Sequence, residues 1–231
     1  MSSRRIVTVD GPAGSGKSTL GRALATELAL PLIDTGLFYR GLMVAAVRAG
    51  LDDTDPAALE MLARTTSLVI DTDPGSDGAT VLVDGVAAGA QLHDPGKAAL
   101  LAAIASEPMV RAAVLELQRR PARDGAVAVG RDCGTVVFPQ AAVKFYLDAP
   151  QALREQRRTA QLRKRGADAD GRAIRAEIGA RDRSDSQRSA SPLRRADDAH
   201  VIDTSTMGRD EMIAYALTVC GSAGLQPGRS R

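Results

Sequence analysis

Two periods of hydrophobicity alternate along the chain. Short aliphatic and β-branched runs at 6–9, 30–33, 126–129, 142–147 and 200–203 predict five strands. Between them lie stretches with the helical repeat. Residues 17–30 place Leu20, Leu24 and Leu28 on one face, and further helices are expected at 37–49, 57–63, 94–106, 109–120, 151–165, 173–184 and 210–219. Strands that alternate with helices predict an α/β fold, a five-stranded parallel sheet with helices on both faces. The texture changes between about 67 and 90, where strand, turn, strand and turn follow closely (67–71, 73–78, 79–83, then Asp84-Gly85). That unit reads as a small antiparallel β-hairpin insertion outside the main sheet. Residues 221–231, rich in Gly, Ser, Pro and Arg, read as a frayed tail.

Composition narrows the partners. The 231 residues are 44% hydrophobic and 25% charged, enough for a globular core. A net charge of +2, with 3% aromatics and no Trp, argues against a nucleic-acid surface. Cys133 and Cys220 lack metal-ligand spacing and read as free thiols. The longest apolar run, 98–105, is too short to span a bilayer, and the N-terminus reaches Asp10 without a signal-peptide core. A soluble cytoplasmic protein with no membrane partner is expected. No long apolar helix face is left over, so a monomer is expected too.

The chemistry starts right after the first strand. Gly11, Pro12, Ala13, Gly14, Ser15, Gly16, Lys17 and Ser18 fit G-x-x-x-x-G-K-[ST], followed by Thr19 and the first helix. In such a loop successive backbone N–H groups converge on an anion at a helix N-terminus. Lys17 supplies a mobile charge to the β- and γ-phosphates, and the Ser18 hydroxyl can ligate Mg²⁺. The chain therefore binds a nucleoside triphosphate. The loop alone leaves kinase, switch and transporter open. No N-K-x-D motif or second nucleotide-binding half is present, which disfavours a GTPase or a transport ATPase. What remains in excess is arginine: Arg40, Arg111, Arg131, Arg157, Arg158, Arg181 and Arg188 stand in loops or near element ends. Fixed guanidinium forks suit a kinase that must hold several phosphate charges together.

Three further stretches carry a resemblance: DTGLFYR from Asp34 to Arg40, GRDCGTVVFP from Gly130 to Pro139, and R-D-x-x-D-x-x-R from Arg181 to Arg188 with Ser191-Pro-Leu after it. Together with the phosphate loop they resemble bacterial cytidylate kinases, in the same order from Ile6 to about Val219. The resemblance implies a nucleoside monophosphate kinase fold with a helical lid, and phosphoryl transfer from ATP–Mg²⁺ to CMP or dCMP. It implies that Arg40 and Arg131 hold the acceptor phosphate, with Thr35 and Tyr39 shaping that pocket. Arg111, Asp132 and Arg188 would read the cytosine, Arg181 and Asp185 would take the ribose hydroxyls, and Arg157 and Arg158 would close over the ATP phosphates. Lys17, Arg131, Arg157 and Arg158 are thus the expected catalytic cations.

On this reading 1–33 is core, 34–112 the acceptor region with its insertion at about 67–90, 113–150 core, 151–170 lid, and 171–231 core with the tail. The family usually has a serine nine residues before the base-reading arginine, where this chain has Ala102, and an Ile-Arg where it has Leu92-His93. Another small-molecule kinase of the same loop class, acting on UMP or shikimate, is the alternative enzyme. A non-catalytic ATP-binding regulator and a nucleic-acid binder are the alternatives outside that class.

Overall fold

Strands β1 (Ile6–Asp10), β2 (Leu32–Asp34), β6 (Ala126–Gly130), β7 (Val143–Asp148) and β8 (His200–Asp203) form one parallel sheet in the order β2-β6-β1-β7-β8. The computed structural model describes residues 5–51, 55–75, 78–164 and 170–228. Ser76 and Asp77 of the expected turn, Arg165 and residues 166–169 of the expected lid, and 229–231 of the expected tail lie outside them.

The central strands are buried on both faces, as their unbroken apolar runs require. One core layer gathers Val7, Val9, Val127, Val129 and Phe145 beneath α1 (Lys17–Glu27) and α8 (Arg209–Ser222). The opposite layer takes Ile6, Ala126 and Ala128 against α2 (Thr35–Arg48) and its neighbours. Leu20, Leu24 and Leu28 are buried, as their spacing predicts. Gly21 lets α1 lie close on the sheet, because a Cβ there would collide with Val129.

The second layer continues into α3 (Pro56–Thr65), a three-stranded antiparallel sheet, α4 (Ala98–Ser106) and α5 (Pro108–Arg119). That small sheet joins β3 (Leu68–Thr72), β4 (Ala79–Val83) and β5 (Val86–Ala87). The insertion thus has one strand more than the hairpin expected. It is packed rather than appended: Val81 and Val83 are core residues, and Arg48 of α2 binds the carbonyls of Val83, Val86 and Ala87.

Several boundaries differ from the hydrophobic pattern for local reasons. The first helix ends at Glu27 because Ala29 turns left-handed, with φ 49°. α2 starts at Thr35 rather than 37 because the Asp34 carboxylate caps the Gly36 N–H at 3.0 Å. Residues 94–106 divide into a 3-10 turn at Pro95–Lys97 and then α4. α6 spans Gln151–Lys164, and α7 runs over Gly171–Gln187 with Asp170 as its N-cap. α7 is longer than expected and takes in Asp185, which the pattern left in a loop. The tail is not frayed through residue 228: Leu225 is buried, and the Gly228 N–H donates to the Glu27 carbonyl at 2.8 Å. Among the described residues no single helix is long and apolar enough to cross a membrane.

Candidate active site

The C-terminal ends of β1, β2 and β6 open onto one crevice, the place where an open parallel sheet binds ligands. At its floor the chain leaves β1 through Gly11, Gly14 and Gly16, all with positive φ (146°, 76° and 101°). At Gly11 the reason is also contact, since a Cβ would strike the Leu147 carbonyl. The loop ends where α1 begins, so its amides and the helix dipole face the same volume. Lys17 is buried and donates to the Pro12 carbonyl at 2.6 Å. Ser18 stands exposed at the first turn of α1.

The Lys17 ammonium has its pKa held well below the usual lysine value, first by burial and then by Arg131 and Arg181. The same crowding lowers Arg181 to about 10, with Arg131 the largest cause, followed by burial and Arg40. It lowers Arg40 as well, through burial, with Arg158 and Arg131 adding to it. Lys17, Arg40, Arg131, Arg158 and Arg181 therefore share one field of mutually repelling cations. Arrival of several phosphate charges would relieve that repulsion.

Beyond this field of cations, side chains from four segments interlock. Arg131, just after β6, donates its Nε to Asp185 at 2.7 Å. Asp185 also meets Arg188 Nη1 at 3.4 Å, and Arg188 Nε binds the Ser191 carbonyl at 2.6 Å. Arg188 Nη2 stands 4.0 Å from Asp132, and Asp132 pairs with Arg111. Arg111 lies over the Tyr39 ring, 5.1 Å from its centre, and donates to the Ala105 carbonyl at 2.8 Å. The result is a chain of alternating charge, Arg131–Asp185–Arg188–Asp132–Arg111, along one wall. Burial alone would raise the Asp185 pKa, yet Arg131, Arg181 and Arg188 together hold it below the usual carboxylate value. Tyr39 is pushed up to about 12 by burial.

Two donors in this wall, Arg111 Nε and Arg188 Nη2, are buried without a hydrogen-bond partner. Unmade bonds of this kind are costly unless a ligand completes them.

Thr35 is fixed from behind: its hydroxyl donates to the Val129 carbonyl at 3.0 Å, and Gln118 reaches its carbonyl at 3.3 Å. Arg40 reaches the Leu92 carbonyl at 2.6 Å, which ties the crevice to the insertion's flank. His93 is exposed beside it. Arg157 and Arg158 diverge. Arg157 forks onto the Thr204 hydroxyl (2.8 Å) and carbonyl (2.7 Å), whereas Arg158 bonds Gln161 and stands 3.7 Å from Glu177 on α7.

Sequence reasoning passed over several participants. Asp10, the last residue of β1, accepts from the backbone N–H groups of Cys133 (2.9 Å) and Gly134 (2.7 Å). Burial raises its pKa to about 6 against those two donors. Thr204 bridges Arg157 to the Ser15 carbonyl of the loop at 3.2 Å. Arg154 reaches the Ala13 carbonyl. The only advance signal was the position of Asp10 between strand and loop. Cys133 is buried packing in a single π-helical turn, Cys133–Val137.

Residues 7–221 match the sequence profile of the family described as Cytidylate kinase. The chain belongs to that family. It is 41% identical to a cytidylate kinase of Rhodococcus jostii (strain RHA1), with 94% of this chain and 95% of the relative covered. It is 39% identical to one from Symbiobacterium thermophilum (strain DSM 24528 / JCM 14929 / IAM 14863 / T), over 93% and 95%. Among solved structures, an uncharacterized protein from Eubacterium ventriosum ATCC 27560 is similar in fold alone. Its TM-score is 0.50 at 12% identity, covering 95% of this chain and 99% of the other.

Proposed function

We propose that this member of the cytidylate kinase family moves the γ-phosphoryl group of ATP onto the phosphate of CMP or dCMP, giving ADP and CDP or dCDP. An oxygen of the acceptor phosphate attacks γ-phosphorus while the bond to the β-phosphate oxygen breaks. That oxygen is already ionised near neutral pH, so the step needs no general base, and alignment with charge cancellation carries the rate. The phosphate loop, Gly11 to Thr19, holds the donor. Lys17, Arg131, Arg157 and Arg158 offset the charge in transit, with Arg157 and Arg158 on the lid.

Arg40 and Arg131 take the acceptor phosphate above Thr35 and Tyr39, and Arg181 with Asp185 serve the ribose. The observation that carries the base assignment is the buried Arg111–Asp132–Arg188 wall with its two unsatisfied guanidinium donors. Cytosine presents an exocyclic amino donor at one end of its edge and two acceptors, the ring nitrogen and the carbonyl, after it. The Asp132 carboxylate can take the amino group, and the Arg111 and Arg188 guanidinium groups the two acceptors. Uracil would turn its carbonyl oxygen toward Asp132 and be rejected.

Mg²⁺ fits the donor set. No group of three or more His, Cys, Asp or Glu able to hold a metal occurs among the described residues. The ion would therefore rest on Ser18, water and phosphate oxygens, the surroundings Mg²⁺ prefers. When bound it neutralises phosphate charge. We infer a monomer working on the nucleotide pool of the cytoplasm.

An ADP-release assay with ATP–Mg²⁺ against CMP, dCMP, UMP, AMP and shikimate tests the reading. Fast turnover with CMP or dCMP and slow turnover with UMP are expected. Equal rates with UMP would overturn the base assignment, and no turnover with any pyrimidine nucleotide would overturn the reaction.

A further inference from the structure

Arg154, in the second turn of α6, has no role in the scheme above, yet it is the most fully engaged arginine beside the donor loop. Its side chain is buried, only 7% exposed, and each part of the guanidinium has a different partner. Nε donates to the Ala149 carbonyl at 3.0 Å, at the end of β7. Nη1 donates to the Ala13 carbonyl of the phosphate loop at 3.0 Å. Nη2 pairs with Asp182 of α7 at 2.7 Å.

The loop also rests on this residue. A Cβ added to Gly14 would lie 3.1 Å from the Arg154 Cβ and 3.2 Å from its carbonyl oxygen. Asp182 depends on this pairing in turn, because its other oxygen is buried without a hydrogen-bond partner. The neighbouring residue, Arg181, belongs to the cation field around Lys17 and Arg131, and Asp185 lies one turn further along α7.

Each of the three guanidinium nitrogens of Arg154 is thus already engaged by a protein oxygen, which marks it as a residue that holds the loop rather than one turned to a phosphate. We propose that Arg154 is a positioning residue that couples the donor loop to the acceptor helix α7 through Asp182. Its planar fork locks Ala13, Ala149 and Asp182 into one geometry, so that ordering of the loop by the donor is passed to the helix that carries Arg181, Asp185 and Arg188. Because such coupling is reciprocal, the acceptor must tighten the donor by the same factor.

The inference rests on the assignment of the loop to the donor nucleotide. Wild-type turnover in the acceptor panel tests that assignment separately. The test measures CMP binding by calorimetry with and without a non-hydrolysable ATP analogue, together with kcat, for wild type, Arg154→Met, Arg154→Lys, Asp182→Asn and the double variant.

Wild type should bind CMP several-fold more tightly when the analogue is present. Arg154→Met should bind CMP alone within about 2-fold of wild type, lose that enhancement, and lose kcat by about 10-fold or more. Arg154→Lys should not restore it, because an ammonium cannot hold three fixed directions. The double variant should be no worse than Arg154→Met.

Retained enhancement and kcat in Arg154→Met with only a lower melting temperature would overturn the proposal, as would full rescue by lysine. Additive losses in the double variant would overturn the Asp182 link. Should Arg154→Met fail to fold, Asp182→Asn decides alone: it must reduce the enhancement, and an undiminished value contradicts the coupling.

Discussion

The Gly11–Thr19 loop, proposed to hold the donor, and the charged wall, proposed to read the base, are built on opposite plans. The loop is continuous, runs from Gly11 to Thr19, and derives its shape from backbone freedom at three glycines. The wall is discontinuous. Tyr39 comes from α2, Arg111 from α5, Asp132 from the turn after β6, and Asp185 and Arg188 from α7 or its end. Their geometry depends on one another through ion pairs, so each is held by charges that arrive from distant parts of the chain. On the proposed reading, a site made of backbone is preformed for phosphate, which every nucleotide carries, whereas a site made of interlocked charges is selective, because a wrong base would leave some of those charges unmatched.

The largest effect should come from the loop. Lys17→Ala should lower kcat by about 10³-fold, on the order of 4 kcal/mol of transition-state stabilisation, while the fold persists. Steady-state kinetics and circular dichroism check this together. Near-normal turnover would mean that the loop's shape alone suffices.

The next prediction concerns Asp10, which joins the two regions by accepting from the turn that carries Arg131 and Asp132. Its pKa is about 6 in the folded protein against 3.8 as an ordinary aspartate. The folded state therefore holds the extra proton between those values. Stability from this group is highest below about pH 4 and falls as pH rises to 6, by on the order of 3 kcal/mol. Asp185 and Asp198 are shifted downward and act with the opposite sign, but they do so in wild type and in Asp10→Asn alike. Denaturant unfolding of both proteins from pH 4 to pH 7 isolates Asp10 in the difference, and parallel curves would contradict its assignment.

A smaller change should appear in the wall. Asp132→Asn offers a donor as well as an acceptor, so the preference for CMP over UMP in kcat/KM should fall by about 10-fold. An unchanged ratio would move base reading away from Asp132.

The contrast also decides what could be read from the chain alone. The loop was legible because its spacing, its glycines and the strand and helix beside it are all local. The five parallel strands were legible for the same reason, through their unbroken apolar runs. The members of the wall came from resemblance, since nothing in the spacing of Arg111, Asp132 and Arg188 says that they meet. Arg154 and Thr204 stayed hidden, because their loop partners Ala13 and Ser15 lie far away in the chain. The length of α7 was missed because Gly171 at its start weakens the helical signal, while the Asp170 side chain supplies the cap that fixes it. The tail's docking was missed because one apolar residue, Leu225, carries it among polar neighbours.

The most direct test of the two-plan site is calorimetric titration of CMP, without ATP, into wild type, Lys17→Ala and Arg188→Ala. Lys17→Ala should bind CMP within about 3-fold of wild type, and Arg188→Ala about 30-fold more weakly, as loss of a charged hydrogen-bonding partner implies. Equal weakening in the two variants would show that loop and wall are one inseparable site and would contradict the account.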